Sequence, residues 1–206
     1  MAVATETRIS NPTTGLRDGV HESQAVFRAV LEALSRPGRP RVAATAAEPP
    51  QPLTRVSAAV ALTLVDQDVT LWLSPSLDCP EVRDYLVFHT GARVVAQPHG
   101  ANFVVCSGPG EIPPLDTLAQ GTPDYPDRSA TVIVSVADTP THTDPRATLS
   151  GPGIEHPFGL GLPGFDRALW RQLQHNHRAY PLGVDLVVCI GQSVIGLPRS
   201  TAIEVA

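Results

Sequence analysis

Apolar residues recur along this chain with two periods, about 3.6 residues in some stretches and about 2 in others, which predict helices and strands respectively. In residues 21–36 they follow the i, i+4, i+8 spacing of an amphipathic helix, and Pro37-Gly38 ends it. The predicted core-facing residues of this helix are Val26, Phe27, Val30, Leu31 and Leu34. Further helices are predicted for residues 53–65, 80–88 and 165–176. Strands are predicted for residues 39–45, 69–73, 93–96, 102–106 and 131–136.

The carboxy-terminal stretch has the densest strand pattern. Residues 184–190 form an almost continuous apolar run that Asp185 interrupts, and residues 193–197 form a second run. Gly191-Gln192 between them is typical of a tight type II′ hairpin, and residues 202–205 could pair again. A carboxylate in such a strand needs a partner, because an unpaired buried charge costs several kcal/mol. Arg199, just past the hairpin, is the candidate partner.

Strands and helices interleave throughout, which predicts an α/β protein with a mixed sheet. At 206 residues the chain is most simply one domain, so we expect a largely flexible segment at 1–20 and a single domain at 21–206. Residues 107–128 and 151–164 are rich in proline and glycine and are expected to be mostly loops, with one helical turn at 115–119.

The charge and composition exclude several classes of function. The formal net charge of −5 argues against binding to nucleic acid, which needs a basic face. No apolar run approaches the roughly 20 residues that span a bilayer, and the first 20 residues contain no apolar signal core, so we expect a cytoplasmic protein without membrane contact. Three widely spaced cysteines fit reduced, mostly buried thiols rather than an iron–sulfur site.

All 15 basic residues are arginines, and the sequence contains no lysine. Without a lysine the chain cannot form an internal aldimine with pyridoxal phosphate, and it has no lysine-dependent phosphate-binding loop. We therefore expect no cofactor.

No motif supports a catalytic or metal site. Residues 159–164 match G-x-G-x-x-G, but 156–158 are a poor strand, so a flexible turn or a contact loop is preferred to dinucleotide binding. His175 and His177 point to nearly opposite sides of a helix and cannot share one ion, so both are expected to be solvated. Asp66 and Asp68 are typical of a turn.

Five residues remain as candidates for contact with a ligand or a partner. They are Arg28, His89, Asp185, Arg199 and Thr201. A structural role is the simpler alternative: a surface position for Arg28, a helix cap for His89, and, for the group of Asp185, Arg199 and Thr201, a salt bridge between the first two.

Residues 180–205 spell YPLGVDLVVCIGQSVIGLPRSTAIEV, and earlier segments at 18–28, 34–38, 62–74, 88–92 and 149–154 follow in a specific order. This set resembles the PhnH family, the H subunits of the bacterial carbon–phosphorus lyase complex. The similarity covers most of residues 15–205 and weakens at 107–128 and 137–146. Gly19 stands where many members of the family have proline, a departure that concerns only the start of the first helix.

The resemblance implies a single three-layer domain that is similar to the large domain of pyridoxal-phosphate-dependent transferases but lacks the cofactor. It also implies an accessory, non-catalytic subunit that supports formation of alpha-D-ribose 1-methylphosphonate 5-triphosphate from ATP and methylphosphonate. The partners would be the G, I and J subunits, and the isolated chain would form a homodimer.

Two alternatives remain open. One is a stand-alone phosphate- or nucleotide-binding enzyme with an arginine-lined pocket, formed by Arg28 and Arg199 at the carboxyl edge of the sheet. The other, less favoured, is a protein that holds pyridoxal phosphate without a Schiff base.

Overall fold

Helices and strands alternate along residues 13–138 and 147–205, the parts of the chain that the computed structural model describes. The helices of this described part are α1 His21–Ser35, α2 Arg55–Leu64, α3 Pro80–Thr90 and α4 Arg167–Arg178. Its strands are β1 Arg41–Val42, β2 Thr70–Leu73, β3 Arg93–Val94, β4 Phe103–Cys106, β5 Thr131–Val136, β6 Ala147–Ser150, β7 Phe158–Leu160, β8 Asp185–Ile190, β9 Ser193–Leu197 and β10 Ala202–Val205. Short 3-10 helices lie at Pro98–Gly100, Pro109–Glu111, Leu115–Thr117 and Pro126–Arg128.

The large sheet has the strand order β1-β9-β8-β5-β4-β2-β3. Its strands β3, β2, β4, β5 and β8 run parallel, whereas β9 is antiparallel to β8 and β1 is antiparallel to β9. The sheet is therefore mixed, and the predicted α/β class is confirmed. The predicted helical turn at 115–119 is present as the 3-10 helix Leu115–Thr117.

The large sheet separates two apolar cores. Alternate residues of β5 enter opposite cores: Ile133 packs with α1, α2 and α3, while Val132 and Val134 pack with α4 and the small sheet. This alternation follows from the two-residue period of a strand. The result is three layers, with α1–α3 on one face and α4 with a three-stranded sheet on the other.

Local chemistry fixes the ends of the helices. Thr54 caps α2 by accepting a hydrogen bond from the Ser57 N–H, and Asp166 caps α4 by accepting one from the Leu169 N–H at 2.7 Å. Pro80 begins α3, as the sequence predicts, and Gly91 ends it with a left-handed φ of 71°.

The carboxy-terminal hairpin is confirmed. Ile190 pairs with Ser193, so Gly191 and Gln192 form a two-residue loop. Gly191 has a φ of 54°. Among the described residues only glycines have a positive φ, so the φ of Gln192 is negative. This combination is the one that a type II′ turn requires.

The buried face of α1 differs from the predicted one. Val26 and Val30 are buried as expected, but Phe27 and Leu31 are 51% and 56% exposed. The core face instead uses Ala29 and Ala33, since α1 lies very close to β9. At Gly196 an added Cβ would lie 2.5 Å from the carbonyl oxygen of Ala33, so only small residues fit between helix and strand.

The small sheet was not predicted in full. It has the antiparallel order β10-β6-β7, and β10 was the one of its strands foreseen from the sequence. β7 consists of residues 158–160, within a segment that was expected to be a loop. β6 and β7 form a local hairpin, whereas β10, which also pairs with β6, lies much later in the sequence, so the complete small sheet depends on distant residues.

The amino-terminal segment contacts the domain from residue 13 onward. Leu16 packs on the core around α1–α3, and the Thr14 carbonyl accepts a hydrogen bond from the Glu48 N–H at 2.9 Å. Residues 1–12 lie outside the described residues, so their predicted flexibility stays a prediction.

Of the three cysteines, Cys106 and Cys189 are buried and Cys79 is partly exposed, and all three are free thiols. Burial raises the pKa of Cys189 to about 12, and it also raises the pKa of Cys106. Within residues 13–138 and 147–205, no helix has the length and apolar character needed to cross a membrane.

Candidate functional site

The parallel strands β2 and β4 are neighbours, and the chain leaves their carboxyl ends toward opposite faces of the sheet. After β2 the chain goes to α3 and the first core, and after β4 it goes to Leu115 and the second core. In open α/β sheets, ligands bind in the crevice at such a switch point. Ser74 follows β2 and Ser107 follows β4, so both lie at this crevice.

Glu111 occupies the crevice. One of its carboxylate oxygens accepts a hydrogen bond from the Ser107 hydroxyl at 2.7 Å and the other accepts one from the Ser76 hydroxyl. Burial raises the pKa of this carboxyl, but hydrogen bonds from Ser74, Ser76 and Ser107 lower it by more, so the net shift is downward. Glu111 is therefore ionised at neutral pH and already hydrogen-bonded, which makes it a poor general base.

Sequence analysis missed this cluster of Ser74, Ser76, Ser107 and Glu111. The available signal was a serine one residue beyond the end of each of two predicted strands. The sequence does not show that these two strands are adjacent and parallel, so it does not indicate that the two serines lie close together.

The amino edge of the sheet holds the predicted pair of Asp185 and Arg199. The Arg199 Nη2 and Nε groups donate to the two carboxylate oxygens at 2.6 and 3.1 Å, and the Arg199 backbone N–H donates to Asp185 at 2.8 Å. The Nη1 group donates to the Pro126 carbonyl at 2.6 Å. The side chains are 14% exposed for Arg199 and 21% for Asp185. The guanidinium is thus bound on all three nitrogens.

Asn176 completes this edge. Its buried side-chain amide donates to the Val184 carbonyl at 2.9 Å and accepts from the Val184 N–H at 2.8 Å, so it replaces a strand partner just before β8. His177 lies beside it, with Nδ1 hydrogen-bonded to the Arg199 carbonyl at 3.1 Å. His175 is exposed as expected, whereas His177 is only partly exposed because it packs against the Arg199 carbonyl.

The position of this pair differs from the expectation of a pocket at the carboxyl edge. Asp185 begins β8, which is parallel to β5, so the pair lies at the amino edge. A shallow cleft of about 320 Å³ lies beside it. Arg28 is exposed on α1 and does not line this cleft, which holds Arg199. Arg28 and Arg199 therefore do not form one arginine-lined pocket.

The other two candidates have structural contacts. His89 lies against Tyr85 with a ring separation of 4.7 Å, and its Nε2 donates to the Thr13 carbonyl at 3.1 Å, so it holds the amino-terminal segment on α3. Thr201 is 1% exposed, and its hydroxyl has no hydrogen-bond partner in the described part of the chain. The contacts of His89 and the burial of Thr201 both favour structural roles.

The glycine motif at 159–164 lies partly within β7, which pairs with β6 in an antiparallel sheet. A dinucleotide fingerprint requires the first glycine to follow a parallel strand in a βαβ unit. The expectation of a flexible turn is thus wrong for its first two residues, and dinucleotide binding gains no support.

The arginines that do share a cleft are Arg36, Arg39 and Arg41. Arg36 and Arg39 lie between α1 and β1 and Arg41 begins β1, in a stretch whose sequence shows only Pro-, Gly- and Arg-rich residues after a helix. Sequence analysis did not single them out.

Comparison with known proteins agrees with the resemblance. The family model described as "Bacterial phosphonate metabolism protein (PhnH)" matches residues 14–204. A protein of Rhizobium meliloti (strain 1021), named "Alpha-D-ribose 1-methylphosphonate 5-triphosphate synthase subunit PhnH", is 38% identical over 190 residues, which cover 91% of this chain and 92% of the relative. The "Putative C-P lyase subunit protein HtxG" of Stutzerimonas stutzeri is 33% identical over 188 residues, covering 88% and 85%. This chain belongs to the PhnH family of bacterial phosphonate metabolism proteins.

Proposed function

We propose that this chain is an accessory subunit of a carbon–phosphorus lyase complex and supports the formation of alpha-D-ribose 1-methylphosphonate 5-triphosphate from ATP and methylphosphonate. The observation that carries the proposal is the 38% identity over nearly the full length of a relative named as a subunit of the synthase for this product. The second relative, named as a C-P lyase subunit, supports the same pathway.

The accessory role, without catalysis by this chain, is supported by how the polar groups at the sheet edges are used. Glu111 is ionised and hydrogen-bonded by serines, and Arg199 is bound to Asp185 and Pro126. Polar side chains that are already hydrogen-bonded within the protein stabilise its fold and are poorly placed to act on a substrate. A fold like that of pyridoxal-phosphate-dependent transferases remains part of the proposal, but without a lysine the residues do not fit an internal aldimine with that cofactor.

We further propose that the chain works in the cytoplasm, joins the G, I and J subunits, and self-associates when isolated. Support comes from exposed apolar side chains on two helices. Phe27 and Leu31 lie one turn apart on α1, and Phe88 on α3 is 67% exposed. Neighbouring exposed apolar side chains of this size are typical of surfaces that a partner covers.

The test is recovery of the tagged full-length chain from cells that grow on methylphosphonate as the sole phosphorus source. Native mass spectrometry of the purified material would give the stoichiometry. We expect three further chains in equal copy number. Recovery of the chain alone, as a monomer or a homodimer, would contradict the proposed subunit role.

A further inference from the structure

A cleft of about 490 Å³ lies between the segment that connects α1 to β1 and the loop that leads into β7. Its walls include Arg36, Arg39, Arg41, Ile154, His156 and Phe158. The volume falls within the range of roughly 300–1,000 Å³ that is common for small-molecule sites. This region is separate from the serine cluster at the crevice and from the Asp185–Arg199 pair.

Each of the three arginines of the cleft has guanidinium N–H groups that are not hydrogen-bonded within the described residues. Arg36 is exposed, and its guanidinium has no partner in the described residues. Arg39 lies over the ring of Phe158 at 4.5 Å, a contact that uses the face of the guanidinium and leaves its N–H edges open.

Arg41 is the third arginine of the cleft and lies deeper than the other two. Its Nε is buried and lies 3.3 Å from Oε2 of Glu32, within ion-pair distance. The angle does not make a hydrogen bond, so this N–H has no acceptor among the described residues. The Nη1 group of Arg41 donates to the Pro40 carbonyl at 3.2 Å, so Nη2 is the Arg41 nitrogen that remains for a ligand in the cleft.

The local charge is positive in a chain whose formal net charge is −5. The arginines face two carboxylates, those of Glu155 in the cleft wall and Glu32 behind Arg41. One net positive charge remains before His156, which lies 3.8 Å from Glu155, is counted. The carboxyl end of α1 contributes a partial negative charge of about 0.5, and Arg36 lies directly at that end.

We infer that this cleft binds a small organic phosphate or phosphonate. The guanidinium groups would hold the anionic phosphorus group, because the planar N–H fork of arginine matches two phosphate oxygens at once. Phe158 and Ile154 line the same cavity and give the organic part of the ligand an apolar contact. An acidic protein segment fits less well, since the charges line a concave cavity and not a flat face.

The inference does not rest on the subunit role, because a binding cleft and an assembly surface can each exist without the other. Isothermal titration calorimetry of the full chain tests it with four probes. AMP and phenylphosphonate carry both an anionic group and a ring, orthophosphate carries only the anion, and adenosine carries only the organic part. We expect one saturable site for AMP or phenylphosphonate, weaker binding of orthophosphate and none of adenosine. The probe that binds distinguishes a phosphate from a phosphonate ligand.

Variants identify the site. Arg36→Ala and Arg39→Ala should each weaken binding by about tenfold or more, since each removes a charged hydrogen-bond donor. Arg171→Ala, an exposed arginine on α4, removes the same charge elsewhere and should change affinity by no more than about twofold, because salt screens distant charges. Glu155→Gln removes an opposing carboxylate and should tighten binding, an effect that a purely structural role would not produce.

Three outcomes would overturn the inference. The first is no saturable heat with any probe at millimolar concentration and low salt. The second is an equal loss of affinity in Arg39→Ala and Arg171→Ala, which would indicate diffuse electrostatic attraction. The third is binding of an acidic peptide in preference to AMP and phenylphosphonate. In each case the pull-down with the other subunits is unaffected, so the two proposals fail separately.

Discussion

The amino edge of the sheet and the cleft beside α1 use arginine in opposite ways. Arg199 donates from all three of its side-chain nitrogens, to Asp185 and to the Pro126 carbonyl. Arg36 is exposed without a side-chain partner in the described residues, and the Arg39 guanidinium contacts the Phe158 ring through its face. A guanidinium with filled donors adds to the stability of the fold, whereas one with open donors is ready for an anion from solution. The difference distinguishes a structural arginine from a binding arginine better than burial alone.

The largest expected effect is that of Arg199→Ala. The substitution removes the guanidinium donors of the Asp185 carboxylate and of the Pro126 carbonyl and leaves Asp185 only the backbone N–H of residue 199, and breaking a partly buried pair costs about 3 kcal/mol. Urea unfolding should show a clearly lower midpoint, with Arg171→Ala as the matched control. A variant with the wild-type midpoint that no longer enters the complex would instead make Arg199 an interface residue.

Asn176→Ala should have the next largest effect. It removes both hydrogen bonds to the backbone of Val184, leaving a buried N–H and a buried carbonyl unpaired at the start of β8. We expect a loss of about 2 kcal/mol in the free energy of unfolding. His175→Ala, one residue away and exposed, is the control, and an equal loss in both variants would show that the helix end and not the amide bridge is responsible.

Glu111→Gln at the carboxyl edge should cost about 1 kcal/mol at neutral pH, because a neutral amide accepts hydrogen bonds less strongly than a carboxylate. The lowered pKa means that the ionised carboxylate stabilises the fold above its ordinary pKa of 4.5 and that this contribution is lost as pH falls below that value. Unfolding measured from pH 7 to pH 3 should show the wild type and the variant converging in acid. A constant difference over this range would contradict the role of ionisation.

The smallest effect on stability is expected in the cleft. Arg36→Ala should change the free energy of unfolding by no more than about 0.5 kcal/mol, since no partner is lost. Arg39→Ala should cost at most about 1 kcal/mol through its contact with Phe158. Thermal unfolding without any ligand checks both. A large loss in either variant would place these arginines with Arg199 and remove the contrast between the two regions.

The features that sequence analysis predicted depend on residues close together in the chain. The hairpin of β8 and β9 follows from two apolar runs and a Gly-X pair, and its antiparallel register brings the start of β8 near Arg199. The ion pair with Asp185 could be predicted for this reason. The α/β class follows likewise from the alternation of short apolar runs with helical periods.

The features that were not predicted from the sequence depend on contacts between distant segments. The buried face of α1 is set by Gly196, more than 150 residues later, which admits Ala33 and leaves Phe27 outside. The cleft needs Arg36–Arg41 beside residues 153–158, where Gly153 approaches the Ser35 carbonyl so closely that no Cβ would fit. The spacing of residues along the sequence does not show which distant backbone segment a side chain will contact.

The free thiols have a practical consequence. Cys106 and Cys189 are buried with raised pKa values, so Cys79 at the start of α3 is the thiol that a maleimide reaches in the folded chain. Because the sequence also lacks lysine, amine-directed dyes have no side chain to attack. One wild-type cysteine therefore gives a single-site fluorescent label, and subunit assembly can be followed in real time without engineering a new attachment point.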